Sequence, residues 1–401
     1  MHQLLDKHIH ESELLIILEE MIKCPSHPGI DHQETAVAEY IHSFFIKEGI
    51  ESELVHVQDG RKNIIARIRG NGTGKNLLLT GHTDTVPPYD MEDPFTLKIS
   101  GDQLIGRGAN DMKGPLASMM IALATIKRSG IQLDGDLVFA GVIDEEEKSL
   151  GTIHLIEKGI RADGAIVGEP TNLDICIAHR GLEWFSFLFE GKAVHGGKQQ
   201  EGINAIQKAS KFIQELENQL IPKLNRRIHP IAGCSTINYG TIQGGTQPST
   251  VAGECLLSID RRWIPGEKYD DIIKEFEDIL NQLSYDDPQF KASMQVLESS
   301  IMKKGYVHEA MEIDPNHVLV KTLEHVCLDI LKTPIEKTYF TAWSDGGLLH
   351  HYANIPTLVF GPGDLETAHS KNEFINRHDL VKAARIYASI AYLFCNQIYL
   401  T

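Results

Sequence analysis

Leu77-Leu78-Leu79-Thr80-Gly81-His82-Thr83-Asp84 is the stretch from which the fold is read. An apolar run of strand length ends in a small turn residue and then presents a histidine and an aspartate two positions apart. In an extended chain those two side chains lie on the same side. Such a pair suits a metal-binding imidazole and the carboxylate that orients it, leaving the edge of a buried sheet. His-x-Asp by itself is a common tripeptide, and a polar loop after a core strand produces it equally well. The pattern gains weight because an apolar strand ending in metal-ligand residue types recurs three more times downstream.

Leu137 to Ile143 runs into Asp144-Glu145-Glu146-Glu147, Ala165 to Val167 ends in Gly168-Glu169-Pro170-Thr171, and Pro356 to Phe360 ends in Gly361-Pro362-Gly363 and leads to Ala368-His369-Ser370. Ahead of these lies Gly106-Arg107-Gly108-Ala109-Asn110-Asp111-Met112-Lys113-Gly114-Pro115, followed by an apolar helix through Ala117, Met120, Ile121, Ala124 and Ile126. Proline suits a first helical turn, so Asp111 is expected just before a helix N-terminus, where backbone N–H groups favour an ionised carboxylate. Strands alternating with helices predict an α/β fold with a mainly parallel sheet and helices on both faces. In such sheets ligands gather past the carboxyl ends of the strands.

Toward the N-terminus, Leu14, Leu15, Leu18, Met21 and Ile22 recur at helical spacing. A second helix is predicted from near Asp31 to Gly49, with Asp31 and Glu34 at capping-box spacing. Asn63 to Arg69 and Asn76 to Thr80 read as two strands joined by Gly70-Asn71-Gly72-Thr73-Gly74-Lys75. That loop resembles a phosphate cradle, but Arg69 stands where a P-loop needs glycine and a strand follows in place of a helix, so a hairpin turn is expected. From Leu182 to Ser300 the texture changes to strand, helix, strand pair, helix, strand, which predicts an inserted α+β domain of two helices on a mainly antiparallel sheet. Its first helix carries Ile206, Ala209, Ile213, Leu216 and Leu220 as an expected core stripe. The expected division is a discontinuous catalytic domain over 1–181 and 301–401, with an inserted lid or dimerisation domain over 182–300.

A chain of 401 residues fits two domains better than one. The formal charge of −17 argues against nucleic acid or an anionic membrane surface as partner. Cys24, Cys176, Cys234, Cys255, Cys327 and Cys395 are scattered, with no Cys-x-x-Cys pair, so neither a thiolate zinc site nor a disulfide framework is indicated. No run is long enough to span a bilayer, and Met1 to Glu13 lacks the apolar core of a signal peptide, which makes the cytoplasm the expected location.

His82, Asp111, Glu146, Glu169 and His369 form an imidazole and carboxylate set that suits zinc, cobalt or manganese. Several carboxylates in one cleft are costly unless cations neutralise them. Five ligands with one shared carboxylate fit two metals about 3.5 to 4 Å apart, the spacing of hydrolytic two-metal sites. Each residue alone has an ordinary structural explanation; four strand ends together do not.

In this order, His82-Thr83-Asp84, Gly106-Arg107-Gly108 with Asp111-Met112-Lys113-Gly114, Asp144-Glu145-Glu146 with Gly151, Gly168-Glu169-Pro170-Thr171, and His369 resemble the M20 metallopeptidase family. That family includes acetylornithine deacetylase, succinyl-diaminopimelate desuccinylase and the glutamate carboxypeptidases. The resemblance implies two zinc ions per chain, with Co2+ or Mn2+ as possible substitutes. His82 and Glu169 would bind one, Glu146 and His369 the other, and Asp111 would bridge them. Asp84 would orient His82, and Glu145 would be the general base, taking a proton from the attacking water and passing it to the leaving amine. It further implies a cis peptide between Asp111 and Met112. Gly191 to Gly197 and Gly202 to Ile206 resemble the family's lid motif, in which His195 would reach across a homodimer to polarise the scissile carbonyl. Arg262, in Asp260-Arg261-Arg262, would grip a substrate carboxylate, and Ser344-Asp345-Gly346-Gly347 resembles a loop lining the substrate pocket. Lys148, Gly197-Lys198 and Ser249 depart from the family pattern without touching a metal ligand.

The resulting expectation is a zinc-dependent amidohydrolase of amino-acid metabolism that deacylates a small N-acyl amino acid bearing a free carboxylate. A carboxypeptidase or a di- or tripeptidase of the same family is the alternative. A metal-dependent binding protein without turnover has no use for Glu145, and a nucleotide-binding reading of Gly70 to Lys75 is disfavoured.

Overall fold

Leu77–His82, Leu137–Val142, Gly164–Val167 and Thr357–Val359 run parallel to one another at the centre of a nine-stranded sheet. The computed structural model describes residues 2–398. The sheet order is Glu51–Gln58, Arg61–Ile68, Leu137–Val142, Leu77–His82, Gly164–Val167, Thr357–Val359, Ile175–His179, Met311–Glu312, with Lys337–Phe340 also paired to Ile175–His179. The three longest-buried central strands have no exposed position on either face, which is what an unbroken apolar run provides and an alternating one does not. On one face Leu78, Val138, Ala140 and Val167 pack with Leu155 and Leu349 of two helices. On the other, Phe139 meets Phe45 edge-on at 5.1 Å, and Gly164 lies against Leu319 and Phe394. Because the four central strands are parallel, residues that follow them emerge at one edge of the sheet.

The sequence expectation of a hairpin at Gly70 to Lys75 does not hold. Arg61–Ile68 and Leu77–His82 are not neighbours, because Leu137–Val142 inserts between them, antiparallel to the first and parallel to the second. The glycine-rich loop instead crosses the end of the inserted strand: Gly70 N–H donates to Asp136 Oδ1 at 2.9 Å, and a Cβ on Gly135 would fall 2.0 Å from the Lys75 carbonyl oxygen. The hairpin lies one strand earlier, between Glu51–Gln58 and Arg61–Ile68.

The helix Thr35–Lys47 begins later than the capping-box reading placed it, with Glu34 at its cap and no side-chain cap bond. Glu34 is fully buried and receives the forked Arg61 guanidinium at 2.9 and 2.6 Å, so it is not available to cap. Gly114–Ser129 starts as expected with Pro115 in its first turn. Ahead of it, Asp111 and Met112 depart from helical geometry within Ala109–Lys113, and the peptide between them is cis.

The described residues divide into two compact units, one made of residues up to Ala178 together with those from Met311 on, the other His179–Ala310. The second unit extends the expected 182–300 span at both ends; Leu182 forms a bridge with His308, which draws the residues after Ser300 into it. Its antiparallel sheet runs Thr236–Gly244, Glu254–Trp263, Gly181–Glu190, Lys291–Val296. Alternate residues Phe185, Phe187 and Phe189 share a core with Phe212 and Phe276 from the helices Ala205–Glu215 and Tyr269–Asp286. Ile206 was expected in that core but is 43% exposed; Ala205 and Phe212 are buried in the helix alongside Ala209. Among the described residues no helix is long and apolar enough to cross a membrane.

Candidate metal centre

His82 ends its strand fully enclosed, and the sequence around it explains its neighbours. Gly81 has no side chain, and a Cβ there would fall 2.1 Å from Met112 Cε, so glycine lets Met112 lie against the strand. Asp111 is thereby brought alongside: His82 Nε2 is 3.0 Å from Asp111 Oδ1 and 3.9 Å from Glu169 Oε1. The other Asp111 oxygen, Oδ2, is 3.2 Å from His369 Nε2, and that nitrogen is 3.0 Å from Glu146 Oε1. Asp111 thus lies between the two histidines, one oxygen toward each. Ligand atoms of His82, Glu145 and Glu169 lie within 4.8 Å of one another, as do those of His82, Asp111 and Glu146.

Asp84 does more than the sequence implied. His82 Nδ1 bonds the Asp84 backbone carbonyl at 2.9 Å, while the carboxylate is 3.6 Å away. The carboxylate accepts the backbone N–H groups of Glu145 at 3.2 Å and Glu146 at 3.0 Å. One residue therefore fixes the His82 ring through its main chain and the glutamate pair through its side chain.

Burial and mutual charge oppose ionisation across the carboxylates of this cluster. Burial, then the Glu169 charge, pushes Glu145 well above the usual carboxylate range. Burial does the same to Glu169, and raises Glu146 with Asp111 adding to it. Burial opposes charge at Asp111 as well, but hydrogen bonds from His369 and His82 outweigh it and hold its carboxyl below the usual range. The bonds to Asp111 and Glu146 raise His369 to about 10. At His82 burial works against protonation, and Asp111 and Glu169 overcome it. Protonated imidazoles can thus stand in for positive charge among these carboxylates. Glu169 Oε1 is buried with no hydrogen-bond partner, an orphan acceptor aimed into an imidazole and carboxylate donor set. The residues present fit divalent metal.

The remaining candidates are placed as follows. Ser344, Asp345 and Gly346 are buried at the head of the helix Gly346–Ala353, and Asp345 Oδ2 accepts the Thr152 hydroxyl at 2.6 Å. Burial pushes Asp345 up to about 6, and its charge is felt at Glu145 and Glu169. In the second unit, exposed His195 accepts the Gly197 N–H on Nδ1 at 3.1 Å, which leaves Nε2 as the proton-bearing nitrogen of the neutral ring. Arg262 is forked onto Asp260 through three hydrogen bonds of 2.9 to 3.1 Å.

Sequence reading missed the residues that hold the ligand loops. Arg61 reaches Asp144 Oδ1 at 2.8 Å, and Asn63 Oδ1 accepts the Ile143 N–H at 3.1 Å, both gripping the segment that leads into Glu145. Glu373 accepts the Asp111 N–H at 3.0 Å. Asn63 follows Arg61 by two in one strand, the only sequence signal that could have paired them.

Residues 78–393 match the model of peptidase family M20/M25/M40. The chain belongs to this family. Among curated M20-related proteins it is 31% identical to N-formyl-4-amino-5-aminomethyl-2-methylpyrimidine deformylase of Halalkalibacterium halodurans, over 96% of this chain and 95% of that one. It is 32% identical to acetylornithine deacetylase of Pectobacterium carotovorum, over 83% and 84%. Among solved structures, the aminopeptidase PepT from Bacillus cereus superposes with a TM-score of 0.80 at 20% identity, over 96% of this chain and 99% of that one. A dinuclear metal binding peptidase of the M20 family from Bacillus subtilis gives 0.69 at 15%, over 96% and 99%. These likenesses carry the fold; the family and its curated members make this M20 chain a metal-dependent hydrolase of amide bonds.

Proposed function

We propose that the protein is a two-zinc deacylase that removes a one- or two-carbon acyl group from a primary amine. The observation that carries this reading is Asp111 set between two histidines, Oδ1 3.0 Å from His82 Nε2 and Oδ2 3.2 Å from His369 Nε2, with Glu169 beside the first and Glu146 beside the second. His82 and Glu169 would hold one cation, Glu146 and His369 the other, and Asp111 both. Bound there, the cations would supply Lewis acidity toward the carbonyl and make water more acidic. Glu145, its amide held by Asp84, takes the proton of the attacking water and returns it to the departing nitrogen, breaking the C–N bond. His195 offers Nε2–H to the developing oxyanion, from the partner in a homodimer. A cytoplasmic location belongs to the same reading.

Both sets of curated relatives act on short acyl groups, formyl in one and acetyl in the other. For the amine, the first reading is an amino acid whose carboxylate Arg262 recognises, with Ser344, Asp345 and Gly346 backing the pocket. A second reading, a formylated heterocyclic amine without a carboxylate, is favoured by the fork of Arg262 onto Asp260, which already gives that guanidinium an anionic partner.

The test is turnover of N-acetylornithine, an N-formyl aminomethylpyrimidine and a tripeptide, with kcat/KM ranking the three. Glu145→Gln is expected to lower kcat by roughly 10²- to 10⁴-fold with metal content unchanged. Undiminished turnover removes Glu145 as the base, and preference for the tripeptide replaces deacylation by peptidase activity.

A further inference from the structure

Glu373 is charged, 1% exposed, and used nowhere in the chemistry above. Its Oε1 accepts the backbone N–H groups of Asn110 at 2.9 Å and Asp111 at 3.0 Å. Its Oε2 accepts the Gly108 N–H at 3.1 Å and the buried Arg107 Nη1 at 2.5 Å. All four bonds fall on the Gly106 to Asp111 segment. Gly108 has φ +80°, the left-handed conformation that turns successive N–H groups toward one point, and this is the geometry of an anion nest. Here the anion is a side chain of the same protein. The placement follows from a small antiparallel sheet: Phe374 pairs with Ile105, so the residue before Phe374 meets the residues after Ile105. Glu373 is also four residues beyond His369.

We infer that Glu373 is a positioning residue that sets the spacing between Asp111 and His369 by holding the main chain of the Asp111 loop to the segment carrying His369, so that the second cation finds both ligands in place. This rests on the two-metal reading above. The Asp111 amide is bonded to Glu373, so the plane of the peptide preceding the shared ligand is fixed by that carboxylate. A carboxylate has the acceptor capacity for four donors; an amide side chain in its place offers one oxygen and turns two N–H groups toward the donors. Outer-shell partners of this kind typically carry ten- to a hundred-fold in metal affinity.

The experiment measures Zn2+ stoichiometry by elemental analysis at buffered free zinc, and the Co2+ absorption spectrum, on full-length wild-type, Glu373→Gln and Arg107→Met proteins. Wild type takes two metals. Glu373→Gln is expected to retain one at the same free zinc, with the second bound at least tenfold more weakly and an altered Co2+ spectrum. Arg107→Met leaves the carboxylate on its three backbone donors and is expected to keep two. If Glu373→Gln does not fold, Glu373→Asp, which keeps the charge but is one methylene short, takes its place with the same expected loss. Two tightly held metals in the Glu373 variant overturn the proposal, as does an equal loss in Arg107→Met, which assigns the effect to the buried ion pair. A wild type that takes one metal or none fails the two-metal reading itself.

Discussion

At the scale of single residues, the candidate ligands form a cluster in which protons and a bound metal would compete. His369 rises to about 10 because Asp111 and Glu146 hold its ring, and His82 is also raised in the metal-free protein. Against an unfolded histidine near 6.5, the His369 contribution to metal-free stability is fully present below that pH and is lost as pH rises through about 10. A metal bound by these residues would have to displace these protons, so its affinity is expected to move the opposite way and tighten as pH rises. Zinc titrations of the metal-free protein at pH 6, 7 and 8 are expected to show the dissociation constant falling roughly tenfold per unit for each proton released. A constant that does not change with pH contradicts the protonated cluster. The sequence singles out His82, Asp111, Glu146, Glu169 and His369 as candidate ligands by residue type at or beyond strand ends and ahead of a helix, and the fold brings these side chains together. The double use of Asp84 was not legible there, because a sequence does not distinguish a bond made by a carbonyl from one made by the carboxylate beside it.

Between strands and helices, legibility depends on distance along the chain. Unbroken apolar runs marked the central strands, since burial on both faces leaves no polar alternation. The glycine-rich loop after Arg69 was misread because such a loop looks the same whether the strands it joins are neighbours or a third strand, contributed from 60 residues later, lies between them. The supports of the loop carrying Glu145 have the same character. Arg61, on the second strand of the edge hairpin, binds Glu34 at the head of one helix and Asp144 at the end of another strand. Glu34 and Asp144 are enclosed, so removing the guanidinium leaves two carboxylates without their cation. Arg61→Leu is expected to cost about 3 to 5 kcal/mol of unfolding free energy, the range for breaking a buried pair from one side. Urea denaturation with an unchanged slope checks it. The double variant Arg61→Leu, Glu34→Leu should recover part of the loss, and a change below about 1 kcal/mol in the single variant assigns the trio no structural role.

On the scale of the whole molecule, two units with separate cores follow from two textures of sequence. Every candidate metal ligand, His82, Asp111, Glu146, Glu169 and His369, lies in the discontinuous unit of residues up to Ala178 and from Met311. The phenylalanine-rich core around Phe187, Phe212 and Phe276 lies wholly in the other. In the sequence the change of texture falls where an α/β alternation gives way to strand pairs, whereas the Leu182 to His308 bridge joins residues that no local pattern relates. A ligand that binds one folded unit stabilises that unit by mass action and leaves the other's intrinsic stability alone. Chelation is therefore expected to lower the melting of the unit that carries the candidate ligands, splitting a calorimetric trace into two transitions, of which only one moves as free zinc is varied. At free zinc a hundred times the dissociation constant the shift corresponds to about 2.7 kcal/mol for each site. A single transition that moves as one with zinc means that the two units do not melt independently.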